Sequence, residues 1–177
     1  MCNNVVIDAN SIAIFQHQRI NHGGGAAVEA MDYILSNGQI IMDAEQIMMQ
    51  EWIDSGSFSS HGELNLLDYI ADLNQNGKIL LHKYENMPDV RNKLREMGMR
   101  GRDPMYLITA HRTAAYAVVS DDPDFYDPKT KRQSAQAREK AKRDRRGPVA
   151  TFARRTLGVE VSPIELVPEV VPPCEMR

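Results

Sequence analysis

The chain has 177 residues, of which 42% are hydrophobic and 25% charged. This composition is typical of one globular domain and excludes a wholly disordered or fibrous chain. No apolar run approaches the ~20 residues that cross a bilayer, so no membrane partner is expected. The two cysteines, Cys2 and Cys174, lie at opposite ends of the chain, which is neither a disulfide framework nor a zinc-binding spacing. We therefore expect free thiols and a cytoplasmic location.

The formal net charge of −3 conceals an uneven distribution. Residues 129–158 contain 11 Lys and Arg residues against two acids, a local charge of +9, whereas the remainder has 10 against 22, a charge of −12. A basic segment on an acidic protein favours a polyanionic partner. A solvated helix face is the alternative, and charge alone does not separate the two.

In the first half of the chain, apolar runs predict strands and helical spacing predicts the segments between them. Val5–Ile7 is a β-branched run typical of a buried strand, and residues 8–11 are the polar kind found where a strand passes into a loop or helix. Asp43 can cap a following helix. In chain order we expect a strand at 5–7, a loop at 21–25, a helix at 26–35, a strand at 40–42, a helix at 44–53, a loop at 55–62 and a helix at 64–73.

The second half continues the same alternation. In chain order we expect a strand at 78–82, helices at 89–97 and 102–112, a strand at 115–119, a helix at 134–146, a strand at 159–161 and an extended, proline-rich end. Strands that alternate with helices predict an α/β fold, a mostly parallel central sheet with helices on both faces. One domain is expected over 1–167, with a basic helical insertion at about 128–150 and a tail at 168–177.

Acidic residues follow two of the predicted strands. Asp8 ends the first strand, and the acids of 121–124 follow the fourth, so both groups fall on one edge of a parallel sheet. Two more acids are expected near the same edge. Asp103 lies at the start of a helix, and Glu51 lies inside the helix after the second strand. Carboxylates gathered there repel one another unless a cation lies among them, and oxygen ligands suit Mg²⁺ or Mn²⁺. Taken singly, each acid also has an ordinary role as a helix cap, a turn residue or a solvent-facing side chain.

Two segments resemble the motifs of PIN-domain nucleases. Residues 5–11, Val-Val-Ile-Asp-Ala-Asn-Ser, are similar to the family's opening strand, and residues 102–125 are similar to its later block, an Asp that opens a helix, then a strand into Ser-Asp-Asp-Pro-Asp-Phe. The resemblance places the following residues on family positions: Asp8, Asp103 and Asp122 on metal-site acids, Asp124 on an additional acid, Ser120 on a Thr/Ser position and Asn10 on the Asn of the first motif.

The second family acid is a Glu in the helix after the second strand. Glu51 matches its setting best, between apolar residues and Trp52, and Glu45 is the fallback. The extra acid Asp121 leaves open which of Asp121, Asp122 and Asp124 binds metal.

The resemblance implies a three-layer α/β/α fold and Mg²⁺- or Mn²⁺-dependent cleavage of RNA, as a toxin ribonuclease or in RNA processing. Other members of the family cut structured DNA, and some have lost activity. The expected catalytic set is therefore Asp8, Glu51, Asp103, Asp122, Asp124, Ser120 and Asn10, of which Asp8, Glu51, Asp103 and Asp122 hold the metal. A toxin role implies an antitoxin-like protein partner.

Metal chemistry supplies the mechanism expected of such a site. Carboxylate-bound ions lower the pKa of a water that attacks the phosphodiester, and Ser120 and Asn10 orient the acids or the water. An acidic site attracts a polyanion only with cations nearby. The expected phosphate contacts are Arg100, Arg102, Lys140, Lys142, Arg143, Arg145 and Arg146. His111 is read as an ordinary helix residue.

Two other functions stay open at this point. A catalytically silent nucleic-acid-binding protein keeps the fold and the basic arm but lacks cleavage. A haloacid-type phosphatase needs a second Asp two residues after Asp8, where the chain has Asn10. The predicted helices 26–35 and 64–73 also leave open a homodimer face, although core is the favoured reading.

Overall fold

Five parallel strands form the centre of the protein. The computed structural model describes residues 3–55 and 66–174, and in them the sheet has the order β3-β2-β1-β4-β5 with every pairing parallel. The strands are β1 (Val5–Ile7), β2 (Ile40–Asp43), β3 (Ile79–His82), β4 (Ala117–Val119) and β5 (Glu160–Ser162). The predicted α/β class is confirmed, and the sheet is parallel throughout the described residues.

Helices fill the connections between the strands. They are α1 (Ala9–His22), α2 (Ala26–Asn37), α3 (Ile47–Ser55), α4 (Leu66–Gln75), α5 (Pro88–Glu96), α6 (Asp103–Arg112), α7 (Ala135–Arg143), α8 (Pro148–Phe152) and α9 (Val167–Val170). The described residues also form three 3₁₀ turns (Pro123–Phe125, Pro128–Arg132, Ile164–Leu166) and a π-helical turn (Ala153–Leu157).

The helices form two layers, because the chain winds outward from β1 to β3 and then returns through β1's other neighbour, β4. Right-handed crossovers in opposite directions place their helices on opposite faces of the sheet. Consistent with this, α1 packs against α2 and α3, whereas α6 packs against α5 and the π-helical turn. The result is the three-layer arrangement expected from the sequence.

The central strands are buried on both faces. Every residue of β1, β2 and β4 is buried, as expected for parallel strands covered by two helical layers. The Trp52 indole N–H donates a buried hydrogen bond of 2.9 Å to the Ile7 carbonyl. This bond fixes α3 against the end of β1. Asp43 caps α3 as predicted, with its two carboxylate oxygens accepting from the N–H groups of Ile47 and Met48.

Helix α1 and the segment from α8 into the π-helical turn escaped prediction. For α1 the sequence predicts only a polar passage into a loop or helix at 8–11 and a loop at 21–25. Its inward face includes the polar residues Ser11 and Gln16, so it lacks an apolar stripe. The segment from α8 into the π-helical turn begins at Pro148, directly after Gly147, and its short length hides any periodicity. The predicted loop at 55–62 lies almost wholly outside the described residues.

The chain's C-terminal region is packed rather than extended. Residues 164–166 form a 3₁₀ turn, α9 packs against α2, and the Tyr33 hydroxyl donates to the Val171 carbonyl at 2.8 Å. The prediction of an extended end is therefore wrong for residues 164–170. The apolar residues Val167 and Val171 between the prolines explain the difference, because they bury themselves against the domain.

Cys174 is disulfide-bonded, which contradicts the expected free thiols. The prediction treated distance along the chain as distance in space. In the structure Asn3 lies beside Pro172, whose carbonyl accepts from Asn3 Nδ2, and the Cys174 N–H donates to Asn37 Oδ1. Cys2 lies outside the described residues. Disulfides persist mainly in oxidising compartments, so the expected cytoplasmic location loses its support from the cysteines.

None of the helices in residues 3–55 and 66–174 combines the length and the apolar character needed to cross a membrane.

The Trp52 contact predicts a stability effect. Replacing Trp52 with Phe removes the donor to the Ile7 carbonyl and leaves space in the core, so the free energy of unfolding should fall by about 2–4 kcal/mol. Trp52 is the chain's only tryptophan, so urea unfolding is best followed by circular dichroism. Leu67→Ala, at a side chain 47% exposed, is the control and should change stability by less than about 1 kcal/mol. Equal losses in the two variants would contradict the assigned role of Trp52.

Candidate functional site

The carboxyl ends of β1 and β4 form the switch point of the sheet. From these two adjacent strands the connections leave toward opposite faces, which opens a crevice beyond the strand ends where ligands of open α/β sheets bind. Asp8 is the first residue after β1, and Ser120 is the first after β4. The fold therefore places these two predicted site residues side by side at the edge of the sheet that is suited to a ligand.

Ser120 connects two acids of this edge, Asp8 and Asp122. Its hydroxyl donates to Asp8 Oδ2 at 2.9 Å and accepts the backbone N–H of Asp122 at 3.1 Å. Asp8 is only 5% exposed, and burial raises the pKa of its carboxyl group to about 6. The Ser120 hydrogen bond opposes that rise, while the negative charge of Asp122 adds to it. Asp8 and Asp122 thus form an electrostatically coupled pair of acids.

The loop after β4 gives its acids different roles. Asp122 accepts from Asn10 Nδ2 at 3.1 Å and from the Asp124 N–H at 2.9 Å, so it caps the following 3₁₀ turn while facing α1. Asp121 instead accepts from the Ser11 hydroxyl at 2.7 Å and from the Ile164 N–H at 3.2 Å. Asp121 therefore ties the loop to α1 and to the segment after β5, and Asp122 is the acid coupled to Asp8.

Glu51 is held by two side chains from the opposite layer. The Tyr106 hydroxyl donates to Glu51 Oε2 at 2.6 Å, and Arg102 Nη1 lies 3.5 Å from Glu51 Oε1. Tyr106 is buried, and burial, the Glu51 hydrogen bond and the charges of Asp8, Glu51 and Asp103 all raise the pKa of its hydroxyl. The charges of three predicted acids thus act on this neutral phenol. Sequence reasoning missed Tyr106, although its position three residues after Asp103 places it one turn along the same helix.

The fallback acid lies elsewhere. Glu45 is exposed in the connection from β2 to α3, and its Oε2 accepts from the backbone N–H of Tyr84, which follows β3. His111 is likewise occupied away from the acids, with Nδ1 2.7 Å from the Leu157 carbonyl oxygen.

Two open clefts flank Asp122. The first cleft, of about 820 Å³, brings Asp103, Asp122 and Asp124 together with Arg100, Lys129 and Arg132 among its lining residues. The second cleft, of about 630 Å³, lies between α1 and α7, and its lining includes Asn10, Asp121, Asp122, Arg138 and Lys142. Asp122 lines both clefts, so the carboxylates lie between two groups of cations.

The predicted phosphate contacts are scattered in the structure. Helix α7 has no buried residue, and most of its charges are paired locally: Lys140 with Asp144 at 3.8 Å and Lys142 with Glu139 at 2.9 Å. Arg145 pairs with Glu160 at 3.4 Å. Arg143 and Arg146 are exposed and line neither cleft. Arg100 and Lys142 are the two members of the predicted set that line a cleft. Lys129, Arg132 and Arg138 were not singled out, although all three belong to the basic segment.

The donor set of this edge is chemically suited to a hard divalent cation. Its side chains offer only carboxylate, hydroxyl and amide oxygens. Burial, and to a smaller extent the charge of Asp122, raise the pKa of Asp8, and a cation near both acids would offset both effects. Among the residues that the structure describes, however, no group of three or more His, Cys, Asp or Glu side chains is arranged to hold a metal ion. The acids thus share one neighbourhood without a preformed cage in the described part of the chain.

We compared the chain with known protein families, curated proteins and solved structures. A scan against protein-family models finds no match, and searches of curated proteins and of solved structures find none either.

The buried Asp8 carboxyl predicts an unusual response of stability to pH. Its pKa is about 6 in the folded protein against 3.8 ordinarily, so its charged form is disfavoured by folding. The penalty is present above pH 6 and disappears as the pH falls toward 4. We expect Asp8→Asn to be more stable than the parent by about 2–3 kcal/mol at pH 7.5, with the difference shrinking toward zero near pH 4.

Urea titrations of both proteins at several pH values, in EDTA, measure this difference. Ser120→Ala serves as a contrast, because it removes a donor to the Asp8 carboxylate and should lower stability at pH 7.5. An Asp8→Asn variant less stable than the parent at neutral pH would contradict the burial penalty.

Proposed function

We propose that this chain is a divalent-metal-dependent endonuclease of the PIN-like kind that hydrolyses phosphodiester bonds in RNA. The observation that carries the proposal is the coupled pair Asp8 and Asp122, bridged by Ser120 at the switch point and flanked by cationic clefts. A buried acid beside a second acid costs folding free energy, and such strained groups cluster at functional sites. Binding of a cation would explain why the protein has two acids in this unfavourable arrangement.

Four acids are the expected metal ligands: Asp8 and Asp122 as the coupled pair, with Asp103 and Glu51 beside Tyr106. When bound there, a divalent cation lowers the pKa of its water and neutralises charge on the phosphate. The chain's own side chains orient the acids. Ser120 directs one oxygen of Asp8, Asn10 directs one oxygen of Asp122, and Tyr106 holds one oxygen of Glu51.

In this proposal the Lys and Arg side chains of the clefts bind the phosphates of the substrate. Phosphate contacts dominate the affinity for nucleic acids, and an acidic centre repels a polyanion that lacks them. Arg100, Lys129 and Arg132 share the first cleft with three of the acids, which provides that attraction next to the proposed metal position.

A catalytically silent nucleic-acid-binding protein is the second candidate, and one arrangement favours it. Both oxygens of Glu51 are already engaged, by Tyr106 and by Arg102, and the described residues hold no preformed cage of three acids. A protein of this kind binds RNA through the clefts without cutting it.

A cleavage assay separates the two candidates. Purified protein should cut single-stranded RNA with Mg²⁺ or Mn²⁺ and stop in EDTA. Asp8→Asn and Asp122→Asn keep the hydrogen-bonding shape but remove a charged ligand, so each should lower the cleavage rate by more than about 100-fold. The rate is measured on a labelled oligoribonucleotide, with circular dichroism to verify folding.

Asp54→Asn is the matched control for these variants. Asp54 is an exposed carboxylate on α3 whose partner is Gln50, and its replacement should leave the rate within about twofold of the parent. RNA binding without metal-dependent cleavage would establish the silent alternative. Cleavage that survives in a clean Asp8→Asn preparation would exclude the proposed acids.

A further inference from the structure

We propose that one nucleic-acid strand lies across both clefts, with phosphates contacting Arg100, Lys129 and Arg132 on one side of Asp122 and Arg138 and Lys142 on the other. This inference rests on the proposed function and specifies how that site takes its substrate. A strand placed in this way presents an internal phosphodiester to the acids, so the cut falls within the chain of nucleotides rather than at an end.

The position of Asp122, which lines both clefts, carries the argument. Asp122 lines both of them, so a polymer that occupies the first cleft and continues past this residue enters the second. Each cleft contributes cations that come from different elements. Lys129 and Arg132 lie on the 3₁₀ turn Pro128–Arg132, whereas Arg138 and Lys142 are separated by one helical turn on α7 and face α1.

Ion pairing distinguishes these cations from their neighbours. Among the described residues, Arg100, Lys129, Arg132 and Arg138 form no ion pair, whereas Arg102, Lys140 and Arg145 each have a carboxylate partner. Lys142 pairs with Glu139 on its own helix, where that acid is largely exposed. Cations that line a cleft without an internal ion pair are available to bind phosphates. Without a bound anion, these neighbouring positive charges repel one another.

The clefts fit a nucleic-acid backbone better than a set of bases. Their lining includes apolar side chains such as Ala13, Ile14 and Pro123 but no aromatic ring among the residues described. Stacking on aromatic side chains is the usual source of affinity for bases, so contacts here are to phosphates and the binding should tolerate different sequences.

Two double variants test the two clefts separately. Lys129→Gln with Arg132→Gln removes two charges from the first cleft, and Arg138→Gln with Lys142→Gln removes two from the second. Lys83→Gln with Arg95→Gln is the matched control, because both side chains are exposed and line neither cleft. Binding is measured by fluorescence anisotropy in EDTA, with a labelled oligouridylate of about 12 nucleotides.

Each cleft variant should weaken binding about three- to tenfold at low salt, whereas the control should match the parent. The slope of log affinity against log salt should flatten by about 1.4 in each cleft variant, since a single strand loses roughly 0.7 per phosphate contact. One oligonucleotide should bind per protein. The inference is overturned if either cleft variant binds like the parent at every salt concentration, if two strands bind at once, or if the control loses as much as the cleft variants.

A small substrate separates failure of this inference from failure of the proposed function. Bis(p-nitrophenyl) phosphate with Mn²⁺ reaches the acids without needing either cleft. Its hydrolysis by the parent, together with strand binding that ignores the clefts, would overturn the inference and keep the nuclease. If the strand binds across both clefts but the parent does not hydrolyse the small substrate, the inference stands and the proposed nuclease activity is excluded. An oligothymidylate of the same length shows whether RNA or DNA is the preferred strand.

Discussion

The parallel pairing of β1 with β4 is the constraint on which the candidate site depends. Val5 pairs with Ala117 and Ile7 with Val119, and the Asp8 N–H continues the ladder by donating to the Val119 carbonyl at 2.8 Å. The residues that follow the two strands, Asp8 and Ser120, are both polar. The parallel pairing places them next to each other. A register shift of one residue would turn every side chain of β1 to the opposite face. Because both strands are fully buried, the core sets the distance between Asp8 and Ser120.

The electrostatics of the site follow from that placement. Burial disfavours the charge of Asp8, and a second carboxylate on Asp122 disfavours it further, so the fold holds an unfavourable charge that the Ser120 hydrogen bond only partly offsets. Burial and the charges of three acids keep the Tyr106 hydroxyl neutral, and it donates a hydrogen bond to one of them, Glu51. The cations nearest to these acids lie at the rim, in the two open clefts, where solvent reaches them.

Much of the fold was predictable because its strands are short apolar runs and its helices have clear limits. The strand ends placed Asp8 and Ser120 correctly at one edge, since parallel strands share their direction. Local patterns could not reveal α1, whose buried face includes Gln16, nor the packing of the segment after Pro163. The Tyr106–Glu51 contact joins residues 55 positions apart, so only tertiary structure shows it. Which of the basic residues line a cleft also depends on tertiary structure, because it is set by how α7 is placed across the second cleft from α1.

Helix α7 gives the strongest reason to connect the basic segment with a partner. It contains no buried residue, so burial of apolar side chains contributes little to keeping it in place. Its own order comes from local bonds, such as the Ser134 hydroxyl that accepts the Ala137 N–H, and from packing on the two preceding 3₁₀ turns. Those turns continue directly from the Asp122 cap. The helix that carries Arg138 and Lys142 is thus anchored through the acidic loop itself, which keeps these cations beside Asp122 and makes the second cleft an extension of the site rather than a separate surface.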